Sequence, residues 1–213
     1  MFYLSPKIAR FPATLGLSQM DERDLIYALH RKVGNKVTFL GIKTSEQVRY
    51  LEIPSRRVKP LCFIANILRR NDRALGHWVV FLIFPYPCLV FYDSYGVNPR
   101  WYGSDFSQFI NRYDNYQLYF SSRPIQGARS LVCGLYCCHF IYLVSWYSWY
   151  KALVMLKSSF NSNNPDGNDK RMLEFYASYL NAKPCSMWRG QRYAMLSFED
   201  CQKLLKRIKN KVH

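Results

Sequence analysis

Two kinds of apolar stretch dominate the chain. Trp78-Val79-Val80-Phe81-Leu82-Ile83-Phe84 is continuous, β-branched and aromatic, with no polar alternation, which predicts a strand buried on both faces. Pro85 and Pro87 force a reversal, and Leu89 to Tyr92 predicts a returning strand. The run from about Val132 to Trp146 is too long for a strand and predicts a buried helix, entered from a loop marked by Pro124 and Gly127. Elsewhere apolar positions recur at helical spacing. Ser18 and Asp21 have the form of a capping box, and Leu25, Ile26 and Leu29 follow on one face, predicting a helix from Glu22 to Lys32. Leu61, Ile64, Ala65 and Leu68 predict a second helix, and Phe106, Phe109, Ile110 and Tyr113 a third, capped by Ser104. Met172, Phe175, Tyr176, Tyr179 and Leu180 predict another. Short strands are predicted over Lys36–Leu40, leading into Gly41, and over Tyr116–Phe120. Asn161 to Asn168 reads as an exposed loop.

Helices around a few central strands in mixed order make the class α+β, a small mixed or antiparallel sheet flanked by helices. The expectation is a single domain over 1–213, with its core at about 20–150 and a helical C-terminal part over 151–213. That part ends in a basic amphipathic tail, where Leu204, Leu205, Ile208 and Val212 oppose Lys203, Lys206, Arg207, Lys209 and Lys211.

Composition narrows the function classes. At 49% hydrophobic and 17% aromatic, the chain can fill a large core, which argues against disorder. The 30 basic residues exceed the 14 acidic ones, a formal charge of +16, and such a surplus favours a polyanionic partner, most simply nucleic acid. The candidate contacts are Arg56, Arg57 and Lys59, then Arg69, Arg70 and Arg73, then Lys203, Lys206, Arg207, Lys209 and Lys211. Seven cysteines, an odd number with Cys137 and Cys138 adjacent, do not read as a disulfide framework and favour a reducing compartment. No Cys-x-x-Cys pair occurs and there are four histidines, so no metal site is expected. The N-terminal residues lack a basic segment followed by an apolar one, so no signal peptide is expected. Ser130 to Tyr150 carries no charge and is long enough to span a bilayer, but its Cys133, Gly134, His139 and Ser145 favour a buried helix, and no membrane partner is expected.

Four residues offer chemistry on these elements. Cys133 stands where the uncharged helix begins, and helix amides with their dipole stabilise an anion there. His77 begins the first buried strand and Asp93 follows the second, so hairpin geometry alone makes them neighbours. Asp93 can then accept an imidazole N–H and orient the ring. Asp105 and Asp114 also follow His77, but neither ends the adjacent strand. Gln126, seven residues before Cys133, can fold its amide over the helix start, where it and the Cys133 N–H can face an oxyanion. Alone, each has a plain structural explanation: a buried thiol, a packed imidazole, an Asx turn. Their order His, Asp, Gln, Cys on these elements gives the parts of a cysteine protease. Cys88, Cys137, Cys138 and His139 read as packing residues.

Gly76-His77-Trp78, Tyr92-Asp93-Ser94-Tyr95-Gly96 and Gln126 with Cys133-Gly134-Leu135-Tyr136-Cys137-Cys138 resemble the adenovirus-type cysteine protease family (adenain) and its viral and transposon-borne relatives. The wider clan includes the proteases of ubiquitin-like modifiers. The resemblance runs from about residue 39, with Phe39-Leu40-Gly41, to residue 146. It implies a cysteine-protease fold with the nucleophile opening a central helix, His77 as base, Asp93 as its orienter, Gln126 in the oxyanion hole and Cys133 as nucleophile. It also implies a thiol endopeptidase that cleaves viral precursor proteins after small residues such as Gly during virion maturation, in the virion and the host cell nucleus. Deconjugation of ubiquitin-like modifiers, acyl transfer and a non-enzymatic DNA-binding role are the alternatives. No cofactor is required for that chemistry, and DNA is an activator of adenoviral members. Adenoviral enzymes commonly carry Glu at the position of Asp93, whereas the modifier proteases carry Asp. Adenoviral members also hold a cysteine ahead of the oxyanion Gln that captures a peptide activator by disulfide. Asn98 to Val132 has no cysteine here, so that activation is not expected.

Overall fold

The computed structural model describes residues 36–69, 76–128 and 130–181, together with Glu22, Leu25, Ile26 and Leu29, which are helical. Its elements run β1 (Thr38–Lys43), α1 (Ser45–Tyr50), β2 (Leu61–Asn66), β3 (Trp78–Ile83), β4 (Cys88–Tyr92), a 3-10 turn (Pro99–Tyr102), α2 (Ser104–Asn111), β5 (Gln117–Phe120), α3 (Cys133–Trp146), α4 (Trp149–Ser159) and α5 (Pro165–Asn181). The strands form one sheet in the order β1-β2-β3-β4-β5. The outer pairs, β1 with β2 and β4 with β5, are parallel, and the central pairs are antiparallel. The class is α+β, a five-stranded mixed sheet flanked by helices.

The uninterrupted apolar runs occupy the middle of the sheet because both faces are covered. On one face Cys62, Ile64, Val80, Leu82, Val90 and Tyr92 pack under Leu135, Phe140 and Val144 of α3, with Leu156 of α4 and Met172 of α5 behind. On the other, Phe63, Phe81 and Phe91 meet Phe106, Phe109 and Ile110 of α2 and Val48 of α1. Phe81 is the hub of that second core, with ring centroids 4.9–5.3 Å from Phe63, Phe91, Phe106 and Phe109.

Several expectations need correction. Leu61 to Leu68 is not a helix. Cys62 and Phe63 fill the positions between the supposed helical face, and all of Leu61 to Ala65 are buried, so the segment pairs as β2 between β1 and β3. Helix α1 went unpredicted although Thr44 and Gln47 form a complete capping box before it. Strand β1 extends through Gly41, past an irregularity in register between Phe39 and Ile42. Ser104 is the first residue of α2 and not its cap; Gly103 precedes it, and no side chain caps the helix. The loop at Asn161 is shorter than expected. Only the turn to Asn164 is irregular, and Pro165 opens α5 where a missing N–H costs nothing. Leu25 and Leu29 are buried, but Ile26 is exposed. The apolar Ser130–Tyr150 stretch breaks at Tyr147, and no helix among the described residues is long and apolar enough to cross a membrane. The basic tail from Lys203 lies outside the described residues.

Candidate active site

Because β3 and β4 are antiparallel, with Val80 opposite Tyr92, the residue before one and the residue after the other meet at the same end. His77 Nε2 lies 2.6 Å from Asp93 Oδ1. The other carboxylates raised by the sequence are placed elsewhere. Asp105 on α2 accepts hydrogen bonds from Ser45 Oγ at 3.2 Å and from Arg69 at 3.0 and 3.1 Å, and Asp114 is exposed.

Asp93 is fully buried, and each of its oxygens accepts two hydrogen bonds. Oδ1 takes His77 and the Tyr95 N–H at 2.9 Å; Oδ2 takes the Val97 N–H at 2.8 Å and the Tyr102 hydroxyl at 2.7 Å. The turn that supplies those amides passes through Gly96 at φ +69°, where a Cβ would fall 2.7 Å from the Arg123 backbone. Burial alone would raise the Asp93 carboxyl, but His77, the Tyr95 amide and the Tyr102 hydroxyl outweigh it and hold the group below the usual carboxylate range. Burial is likewise the largest influence on His77 and disfavours its charged form; the Asp93 carboxylate and then the Cys133 sulfur overcome it and push the ring up to about 10. The ring stacks on Tyr95, with centroids 4.5 Å apart.

Cys133 is the first residue of α3, and its side chain is hydrogen-bonded to His77. With Nε2 directed at Asp93, Nδ1 is the ring nitrogen left for the thiol. The five described cysteines are all free thiols. Four sit in surroundings that oppose ionisation: burial pushes Cys62 up to about 12 and also raises Cys88, Cys137 and Cys138. Cys133 is the described thiol that adjoins an imidazole.

Gln126 is buried at the same end of the sheet, and its backbone N–H donates to Ser94 O at 3.2 Å. Its side-chain Oε1 accepts from Ser94 Oγ at 2.5 Å, and its Nε2 donates to Tyr95 Oη at 3.1 Å and to Ser130 O at 2.9 Å. Both amide hydrogens are therefore engaged within the protein. An oxyanion would have to draw one of them from the Ser130 carbonyl or the Tyr95 hydroxyl. The sequence pattern assigns no role to Tyr102, Tyr95, Ser94 or Ser130. Ser94 and Tyr95 adjoin Asp93 in the same motif, which was a usable signal; nothing local marked Tyr102.

The candidate nucleic-acid contacts divide. Arg56 and Lys59 are exposed. Arg57 donates to Pro54 O, Phe84 O and Tyr116 Oη, and Arg69 holds Asp105, so both have structural work. Arg70, Arg73 and the cluster Lys203, Lys206, Arg207, Lys209 and Lys211 lie outside the described residues. Among the described residues no group of three or more His, Cys, Asp or Glu side chains is placed to hold a metal ion.

No family model matches the sequence, and no curated protein matches it. Among solved structures, the chain is similar to the central domain of the uncharacterized Lpg1148 protein from Legionella pneumophila. The TM-score is 0.40 and the identity 14%, over 74% of this chain and 91% of that one.

Proposed function

We propose that the protein is a thiol peptidase in which Cys133 is the nucleophile, His77 the acid–base and Asp93 the orienting carboxylate. One observation carries this reading: His77 bridges a saturated, buried Asp93 at 2.6 Å and the thiol of Cys133 at the head of α3. A proton moved from that thiol to the neutral imidazole leaves a thiolate facing an imidazolium, which is the reactive form, and Asp93 stabilises the positive ring so produced.

The steps follow from the placement. Cys133 Sγ attacks the scissile carbonyl carbon, and the carbonyl oxygen takes up the displaced electron pair. The donors to that oxyanion are the Cys133 N–H at the helix start and a Gln126 amide hydrogen drawn from Ser130 O or Tyr95 Oη. As the C–N bond breaks, His77 gives its proton to the departing amine. Water then attacks the thioester, losing a proton to His77, and the C–S bond breaks to restore the thiol as the acid departs. Asp93 stays ionised throughout and holds the ring.

The resemblance supplies the rest of the proposal: viral precursor proteins as substrates, cut after small residues, in the virion and host nucleus. The +16 charge supports DNA as a partner. The test is cleavage of a precursor-derived peptide by the full chain and by Cys133→Ala, with the fold checked by circular dichroism. Cleavage by the wild type alone is expected; undiminished cleavage by Cys133→Ala overturns the proposal. Turnover of a ubiquitin-like-modifier conjugate with no precursor cleavage would keep the catalytic roles and reassign the substrate.

A further inference from the structure

Asn168 and Asp169 lie side by side in the first turns of α5, in the part of the chain where no motif pointed to a function. Asn168 Nδ2 donates to Ile125 O at 2.9 Å and to Asn161 O at 2.8 Å. Asp169 Oδ2 accepts from the Gly127 N–H at 2.9 Å, and its Oδ1 accepts from the Tyr136 hydroxyl at 3.0 Å. The Ser130 side chain also bonds to Asp169. Gln126 lies between the two backbone groups so held. We infer that Asn168 and Asp169 are positioning residues for the oxyanion side of the site, fixing the backbone on both sides of Gln126 and thereby the direction of its amide.

The inference rests on the peptidase reading, and it explains more than local packing. The Ser130 carbonyl accepts from the Gln126 amide, while the Ser130 side chain is held by Asp169. A shift at Asp169 therefore moves both the donor and the carbonyl that competes with an oxyanion for it. The sequence accommodates the contact with a glycine. A Cβ on Gly127 would come within 2.3 Å of Asp166 Oδ1 and 2.8 Å of Asp169 Oδ2.

The anchor also titrates where the chemistry operates. Burial raises the Asp169 carboxyl to about 7, against the opposing hydrogen bonds from Gly127, Ser130 and Tyr136, with Asp166 adding to the rise. The titratable groups facing it are Asp166 from α5, Tyr136 from α3 and Tyr95 from the turn after β4. Below pH 7 the acid gains an O–H that must itself donate, so the Ser130 or Tyr136 hydroxyl has to turn away or switch from donor to acceptor. Above pH 7 the carboxylate serves all of its donors.

The experiment compares two reactions of Cys133 in the full chain. Hydrolysis of a peptidyl-glycyl coumarin amide passes through an oxyanion, whereas alkylation by iodoacetamide does not. Asp169→Asn is isosteric and resembles the protonated acid. Its amide oxygen can still accept from Gly127, and Tyr136 can turn its hydroxyl to Ile125 O at 3.2 Å. Its kcat at pH 8 is expected to fall about 10-fold and to lose the wild-type inflection near pH 7, with KM little changed. Asp169→Ala is expected to fall about 100-fold, the scale of a lost oxyanion donor. Both variants should alkylate at the wild-type rate. Wild-type kcat and an unchanged inflection in Asp169→Asn overturn the inference, as does alkylation that falls in step with turnover. Failure of the wild type to hydrolyse any such amide refutes the peptidase reading itself, and this inference with it.

Discussion

Replacing Asp93 with Asn tests whether a buried charge holds the imidazolium. Asp93 oxygens each serve two donors, so an amide nitrogen meets donors in either orientation. The better orientation keeps the oxygen toward His77 and the Tyr95 N–H. Tyr102 can then rotate its hydroxyl to accept, but the Val97 N–H loses its partner, at a cost of about 1–3 kcal/mol of stability. The electrostatic effect is larger. Returning His77 from about 10 to its ordinary 6.5 is worth about 5 kcal/mol. The Asp93 carboxylate leads the influences that raise the ring against the opposing effect of burial, so the larger part of that stabilisation disappears with its charge. The imidazolium–thiolate population should drop on the order of 100-fold near neutrality. The assay is the pH dependence of Cys133 carboxamidomethylation by iodoacetamide, with the adduct located by mass spectrometry among the seven cysteines. In the wild type, Cys133 should label below pH 7 while Cys62, Cys88, Cys137 and Cys138 stay silent. In Asp93→Asn the labelling should shift upward toward the ordinary thiol range of about 8.5. Superimposable profiles for the two proteins would refute the argument that Asp93 controls the charge of the ring.

Folding stability should decline below pH 3.8 and again above pH 6.5. Asp93 titrates lower in the folded state than in the unfolded state, so its contribution is present above pH 3.8 and is lost as pH falls through its depressed folded value. His77 titrates higher when folded, so its contribution is present below pH 6.5 and is lost as pH rises through about 10; urea midpoints across that range check both signs. Phe81→Ala removes a fully buried ring from the second core and should cost about 3–5 kcal/mol in urea denaturation, a loss under about 1.5 kcal/mol being inconsistent with the packing described. Duplex DNA binding should weaken with salt at a slope of roughly −0.9 per phosphate neutralised. Arg56→Ala with Lys59→Ala should flatten that slope by up to about 2, and an unchanged slope would remove this cluster from the interface.

The parts of the fold that were legible in the sequence are those where one signal dominates. The run from Trp78 and its return after Pro87 became β3 and β4, because continuous β-branched and aromatic residues between turn signals fit little else. Leu61 to Asn66 failed for an instructive reason. Leu61, Ile64 and Ala65 satisfy helical spacing only because every residue from Leu61 to Ala65 is apolar, and a strand covered on both faces leaves few polar positions to betray its period. At α1 the error ran the other way. Thr44 and Gln47 carry a full capping box, but the helix after it is short and half polar, so periodicity was silent while the cap was not.

The site divides along the same physical line. His77 and Asp93 could be paired in advance because a hairpin fixes which ends meet, and no long-range information was needed beyond the reversal at Pro85 and Pro87. Cys133 could be placed because a helix start is a local feature. Gln126 could be brought near Cys133 by loop length, but not aimed, since its amide direction depends on Ser94, Tyr95 and Ser130 together. Asn168 and Asp169 could not be found at all. They look like part of a polar loop, and their role arises only when α5 carries them against the backbone beside Gln126, some forty residues away. An Asn–Asp pair has many satisfactory solvated fates, and nothing in its neighbours distinguishes those from a buried anchor. The proposed nucleophile and base advertise themselves by residue type, whereas the groups inferred to hold the oxyanion donor in place are ordinary polar residues. Their function is created by tertiary structure, and the pH profile of Asp169→Asn is where that difference becomes measurable.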